Sequence, residues 1–283
     1  MGKGQKKSMM IGSLYKKYQD ELSTLALVLL AYTPTFLWMW DRWFARDSYY
    51  SHGILIPFIS FYLIWNKKDE LKRIPRESSP WGFYIFLLGV LLHLLSAAFR
   101  VYFSSGFSLI IMLLGLVLHF FGKRVLNHVL FPIIFLAFMV PLPIVTIAQI
   151  SFKLKLFAAQ LATAILNNNL RIPCFQDGST IRLQHTQVIV DDVCSGLRSL
   201  ISLTALGSIF AYWIKGGFVK KSIVFLATIP IAVVTNAMRI VFLAAVSEIW
   251  GAQYATGFLH DLSGFIVFAG AFILLFFIVK LLE

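Results

Sequence analysis

The sequence predicts an all-α polytopic membrane protein of about eight transmembrane helices, with one interfacial helix and a small β-like extracytoplasmic loop. Three observations carry that expectation. Hydrophobic residues make up 59% of the 283 and charged residues only 13%, against roughly 25% charged in a soluble domain. The apolar excess, a mean hydropathy of +0.79, runs along nearly the whole chain. The charges are also sorted by loop, as a bilayer sorts them. A soluble enzyme is excluded, because too little polar surface exists to solvate a globule.

A helix needs about 20 apolar residues to cross a hydrocarbon core. The spans expected on that ruler are about 21–40, 49–65, 81–99, 105–121, 125–147, 195–214, 222–247 and 262–280. The second is short and counts only if Tyr49 and Tyr50 belong to its interfacial belt. Residues 1–20 read as a solvated, cytoplasmic basic tail, and 21–283 as a single transmembrane domain. No small-residue cleavage site follows the first apolar stretch, so the N-terminus reads as an uncleaved anchor.

Orientation follows from counting. With the N-terminus inside, inner segments hold sixteen Lys and Arg residues, among them Lys67, Lys68, Lys72, Arg73 and Arg76, and outer segments hold seven. That asymmetry favours N-in and C-in. It also accounts for the net charge of +12 without nucleic acid as a partner.

One extramembrane stretch exceeds twenty residues, about 148–193, and faces outside. Its first half, over 148–166, reads as an amphipathic helix lying in the interface. A ninth span there would reverse the C-terminal half and spoil the charge count. The second half contains Asp177-Gly178 and β-branched runs, which predict two short strands.

Ionisable side chains within hydrocarbon are costly and call for a reason. Arg239 lies near the outer end of its span, with Asn236 three residues before it on the same helix face. Arg198 lies one turn inside the sixth span, also at the outer end, and His260 immediately precedes the eighth. Cys194 opens the sixth span, where helix N–H groups and a nearby arginine lower a thiol's pKa. Asp191 and Asp192 oppose that lowering, so it wins only if Arg198 or Arg239 contacts the sulfur. A Cys/His pair supports nucleophilic catalysis, and an arginine can stabilise the oxyanion. Each residue also has a plainer reading: Cys194 in a disulfide with Cys174, Arg239 snorkelling to headgroups or holding a lipid phosphate, and His260 as an interfacial histidine. Their convergence on one face favours the catalytic reading. His52 belongs there only weakly, and no zinc-type Cys/His set or nucleotide motif is present, so no cofactor or metal is expected.

The segments VDDVCSGLRSL, TNAMRIVFL and LHDLSGF, in this order on successive spans, resemble the exosortase/archaeosortase family of integral-membrane transpeptidases, and YYSHGILIPFISFYLIW resembles its N-terminal signature. CSGLR looks more like the bacterial exosortase branch than the archaeal one. The resemblance implies Cys194 as nucleophile, Arg239 as transition-state stabiliser and His260 as general acid/base, with Arg198 and Asn236 in supporting, substrate-binding roles. It also implies the partners: secreted proteins ending in a sorting signal (a PEP-CTERM-like motif, a transmembrane helix and a basic cluster) and a lipid or other envelope acceptor. Cleavage would occur at the outer face of the cytoplasmic membrane. The loop at 170–193 would act as lid or motif reader, through Arg171, Arg182 or Gln184. Two alternatives stand beside this: a protease that only hydrolyses, and a non-catalytic anion- or lipid-binding component of the transporter kind.

Overall fold

The computed structural model describes residues 19, 22–191 and 194–282. The expected basic tail, apart from residue 19, and Asp192 lie outside the described residues. The chain is mostly helical and divides into two compact units, residues 1–42 with 54–140, and 43–53 with 141–283.

The first unit begins with α1 (Leu22–Ala31) and α2 (Thr33–Trp43), bent by 58°. Pro34 follows the break; it lacks an N–H, and its ring disfavours continued helix before it. Next come α3 (Leu55–Asn66), α4 (Lys68–Arg73), α5 (Pro80–Ala98) and α6 (Tyr102–Phe135). Within α6, Gly122 has φ +84°, which only glycine adopts readily, so the helix is interrupted there. The part before Gly122 packs antiparallel to α5, close enough that a Cβ on Gly89 would stand 2.8 Å from the backbone of Met112. The part after it packs on α3, where the Ser60 hydroxyl donates to the Pro132 carbonyl at 2.6 Å. Buried hydroxyls link three helices: Tyr32 to Ser108 at 2.7 Å, Thr35 to Ser105 at 2.6 Å, and His93 Nδ1 to Ser105 at 2.9 Å. His93 therefore has a structural partner in the core.

The second unit holds α7 (Ile144–Asn168), the strands β1 (Phe175–Asp177), β2 (Thr180–Arg182) and β3 (Gln187–Ile189), then α8 (Leu197–Trp213), α9 (Phe218–Trp250), α10 (Ala252–Ala255) and α11 (Phe258–Leu282). The strands form one antiparallel sheet in the order β1-β2-β3, three where two were expected. Gly178, at φ +62°, turns the chain between β1 and β2. The sheet rests on α7 and α9 through Ile181 and Val190, which pack with Ala158, Ala162, Leu166 and Ala244. Buried α9 is the centre of this unit. Its Thr228 and Ala232 are small, and a Cβ on Gly207 of α8 would collide with the Thr228 side chain. Close approach of this kind is how helices associate without water to drive them together.

Among the described residues, five helices are long and apolar enough to cross a membrane, or six if α1 and α2 make one span. The expected count of eight is not reproduced, and the reasons are local. The 49–65 span reduces to a 3-10 turn and the 12-residue α3. The 195–214 span becomes the 17-residue α8, and the spans at 105–121 and 125–147 correspond to the two parts of α6 on either side of Gly122. The latter cannot run to 147, because Pro141 and Pro143 end the helical path at Met139. The stretch expected in the interface is instead part of the 25-residue α7, itself apolar enough to span. Its first half borders α8 and α9 at Leu200, Thr204 and Ile229, and its second half lies under the sheet.

Candidate active site

Cys194 sits in a short turn ahead of α8. Its amide donates to the Asp191 carbonyl at 2.9 Å, and its carbonyl accepts from Asn236 Nδ2 at 2.8 Å. Gly196 then adopts φ +81° as the helix opens, and a Cβ there would lie 2.9 Å from Asn236 Cγ. Only glycine satisfies both demands. Gly196→Ala adds left-handed strain of about 1–2 kcal/mol and displaces Asn236, so it should lower the melting temperature of detergent-solubilised protein by several degrees. An unchanged melting temperature would mean that the turn can be rebuilt without glycine.

Asn236 and Arg239 are three residues apart on α9, so their side chains leave the helix about 60° apart. Asn236 reaches the Cys194 turn, and Arg239 reaches α11. The Arg239 Nη2 donates to the His260 carbonyl at 3.0 Å and to His260 Nε2 at 3.3 Å, while its Nε donates to Ser263 Oγ at 3.0 Å. Ser263 in turn donates to the His260 carbonyl at 2.7 Å. His260, the third residue of α11, places Nε2 3.0 Å from the Cys194 sulfur. A guanidinium can only donate, so Nε2 accepts from Arg239, which assigns the ring N–H to Nδ1.

The thiol is 8% exposed, within a cluster that includes Ile181, Val190, Ile240 and Val241. Burial pushes its pKa up, the Arg239 charge pulls it down, and Asp191 pushes it up; the net direction is upward. The upward shift favours a thiol hydrogen-bonded to the imidazole over a preformed thiolate. Arginine does lower the pKa as the sequence suggests, but desolvation outweighs it. Alkylation of Cys194 by N-ethylmaleimide should accelerate through a pH midpoint above the ordinary thiol range. The midpoint should move higher in Arg239→Gln, which removes the favourable charge, and lower in Asp191→Asn, which removes the unfavourable one. Coincident midpoints in all three proteins would contradict this electrostatic account.

Of the residues singled out from sequence, Cys194, His260, Arg239 and Asn236 are joined by hydrogen bonds. Arg198 is not joined to them. Cys194 precedes α8, so its four-residue spacing to Arg198 is not a helical one, and Arg198 Nε is buried without a hydrogen-bond partner. His52 Nδ1 instead meets Ser202 of α8, at 3.1 Å. Cys174 and Cys194 are both free thiols, so the disulfide alternative is not realised. Arg182 is occupied by Asp177 at 2.9 Å.

Two contributors escaped the sequence reading. Ser263 had a signal, since it lies three residues after His260 on the same helix face. The other had none: His185, in the loop after β2, meets Glu248 of α9 at 2.7 Å and ties the sheet to the helix that carries Arg239. Beside the cysteine turn, an apolar groove of about 260 Å³ runs along α8 from Leu197 past Leu200 to Thr204, with Ile150 and Ile229 opposite.

Comparison with curated proteins and with solved structures returns no match. The family description "Transmembrane exosortase (Exosortase_EpsH)" matches residues 22–277, which span every motif above and all of the hydrogen-bonded cluster. With that match over most of its length, and with several helices apolar enough to cross a bilayer, the chain is a multi-pass membrane protein and belongs to the transmembrane exosortase family.

Proposed function

We propose that this protein is a membrane-embedded cysteine transpeptidase. It cleaves C-terminal sorting signals (motif, transmembrane helix and basic tail) from secreted proteins at the outer face of the cytoplasmic membrane, and passes the new C-terminus to a lipid or other envelope acceptor. The observation that carries the reading is the Cys194 sulfur 3.0 Å from His260 Nε2, with Arg239 bonded to that same imidazole.

The chemistry runs in two balanced halves. As the Cys194 sulfur attacks the scissile carbonyl, its proton passes to His260 Nε2, so the buried thiol need not ionise first. The Arg239 guanidinium stabilises the negative charge that develops on the carbonyl oxygen. The tetrahedral intermediate collapses to a thioester, and His260 protonates the departing amine. His260 then takes the proton of the acceptor's amine or hydroxyl as it attacks the thioester, and returns it to the Cys194 sulfur as the C–S bond breaks, restoring the thiol and the imidazole. Asn236 holds the turn that aims the sulfur. Arg198, with a buried N–H that lacks a partner, binds a polar group of the substrate near the scissile bond. The substrate's tail helix enters laterally, along the apolar groove beside α8.

Co-expression with a tail-bearing protein from the same host tests this reading, with the tail followed by blot and the product by mass spectrometry. Tail removal by wild type and not by Cys194→Ala is the expected result. The mass of the new C-terminus then separates transfer from hydrolysis. In the purified system, Arg198→Gln should raise KM and leave kcat nearly unchanged. Processing that survives Cys194→Ala would replace the enzyme with an anion-binding membrane component.

A further inference from the structure

A cavity of about 730 Å³ opens in the first unit, whereas Cys194, Arg239 and His260 all belong to the second. Its walls come from Phe61 and Ile64 of α3 and from Leu116, Val129 and Ile133 of α6. The polar group on its wall is already satisfied, since the Ser60 hydroxyl donates to the Pro132 carbonyl at 2.6 Å. The interior therefore suits hydrocarbon. Its volume falls within the roughly 300–1,000 Å³ usual for small-molecule sites.

The polar end of this cavity is cationic. Lys68, Lys72 and Arg76 line it, all three exposed. Lys68 Nζ lies 4.6 Å from the Trp65 ring centroid and the Arg76 guanidinium 4.5 Å from that of Phe121, so aromatic faces hold both cations at the edge of the apolar space. Asp69 pairs with Lys72 at 3.3 Å with both side chains 72% exposed, where such a pair is weak and a phosphate can compete for the lysine, and Glu77 lies 3.5 Å from Arg124. An apolar chamber ending in three cations complements an amphiphile with an anionic head. It does not complement a zwitterionic lipid, nor the lysine-rich segment that begins this chain.

We propose that this cavity binds one anionic phospholipid, with an acyl chain between α3 and α6 and its phosphate on Lys68, Lys72 and Arg76. The site is independent of the cysteine chemistry.

Native mass spectrometry of the full-length protein in detergent provides the test, titrated with phosphatidylglycerol or with phosphatidylcholine of the same chains. Wild type should retain one phosphatidylglycerol about a hundredfold more tightly than phosphatidylcholine. Each neutralised cation is expected to weaken that binding about fivefold. The triple variant Lys68→Gln, Lys72→Gln, Arg76→Gln should therefore bind both lipids alike. Val129→Trp, which fills the chamber, should weaken both, and glycerol 3-phosphate should fail to displace the lipid. Equal retention of the two lipids by wild type would overturn the proposal. So would wild-type affinity for phosphatidylglycerol in the triple variant, or displacement by glycerol 3-phosphate, which would mark a phosphate site without a chain. The triple substitution lies on the exposed rim, so the test stands even if Val129→Trp does not fold.

Discussion

Cys194→Ala should reduce tail cleavage by about 10⁴-fold or more, to the background left by binding and electrostatics alone. His260→Ala should fall to a similar level, because the buried thiol depends on the imidazole 3.0 Å away to lose its proton. The double variant should be no worse than either single one, since the two side chains act as a unit. Single-turnover cleavage of a purified tail-bearing substrate in detergent, with each variant's fold checked by thermal unfolding, measures all three. A His260→Ala enzyme with near-wild-type kcat at neutral pH would remove histidine as the base. A double variant with additive losses would mean that the two side chains act in separate steps.

Arg239→Gln should lower kcat by about 10²–10³-fold with little change in KM, the signature of an interaction made in the transition state. Arg239→Lys should recover only part of that. Lysine keeps the charge, but one ammonium cannot reproduce the planar fork that now bonds Ser263, the His260 carbonyl and His260 Nε2 together. Full activity in Arg239→Lys would mean that charge alone suffices. A rise in KM at constant kcat would instead place Arg239 in substrate binding. Ser263→Ala is a useful companion, because it loosens the guanidinium without touching the reacting atoms; it should reproduce a fraction of the kcat loss.

Much of the site was legible because the bilayer makes ionisable residues conspicuous. Arg239 stood out for that reason alone, while His260, just ahead of its span, and Cys194 were singled out by their convergence on one face and by the motifs around them. Asn236 was legible from helical spacing. The spans were read less well where hydropathy was allowed to override backbone chemistry. Pro141 and Pro143 already forbade a helix through 147, and their signal was present in the sequence. The continuity of α7 was harder to see, since Lys153 and Lys155 suggest an interfacial helix and say nothing about what packs against it.

The sequence by itself determined that the protein is membrane-bound, that its charges are few, and which polar side chains needed an explanation. Each of these follows from transfer free energies that act residue by residue. The tertiary structure alone decided which of those side chains meet. Arg198, four residues from Cys194, is not bonded to the cluster, because Gly196 takes a left-handed turn between them. His260, 66 residues away, supplies the contact to the sulfur. The state of the thiol was likewise undecided in the sequence. Desolvation by the β-sheet and α9 competes with the Arg239 charge, and the outcome depends on three-dimensional burial that local spacing does not encode.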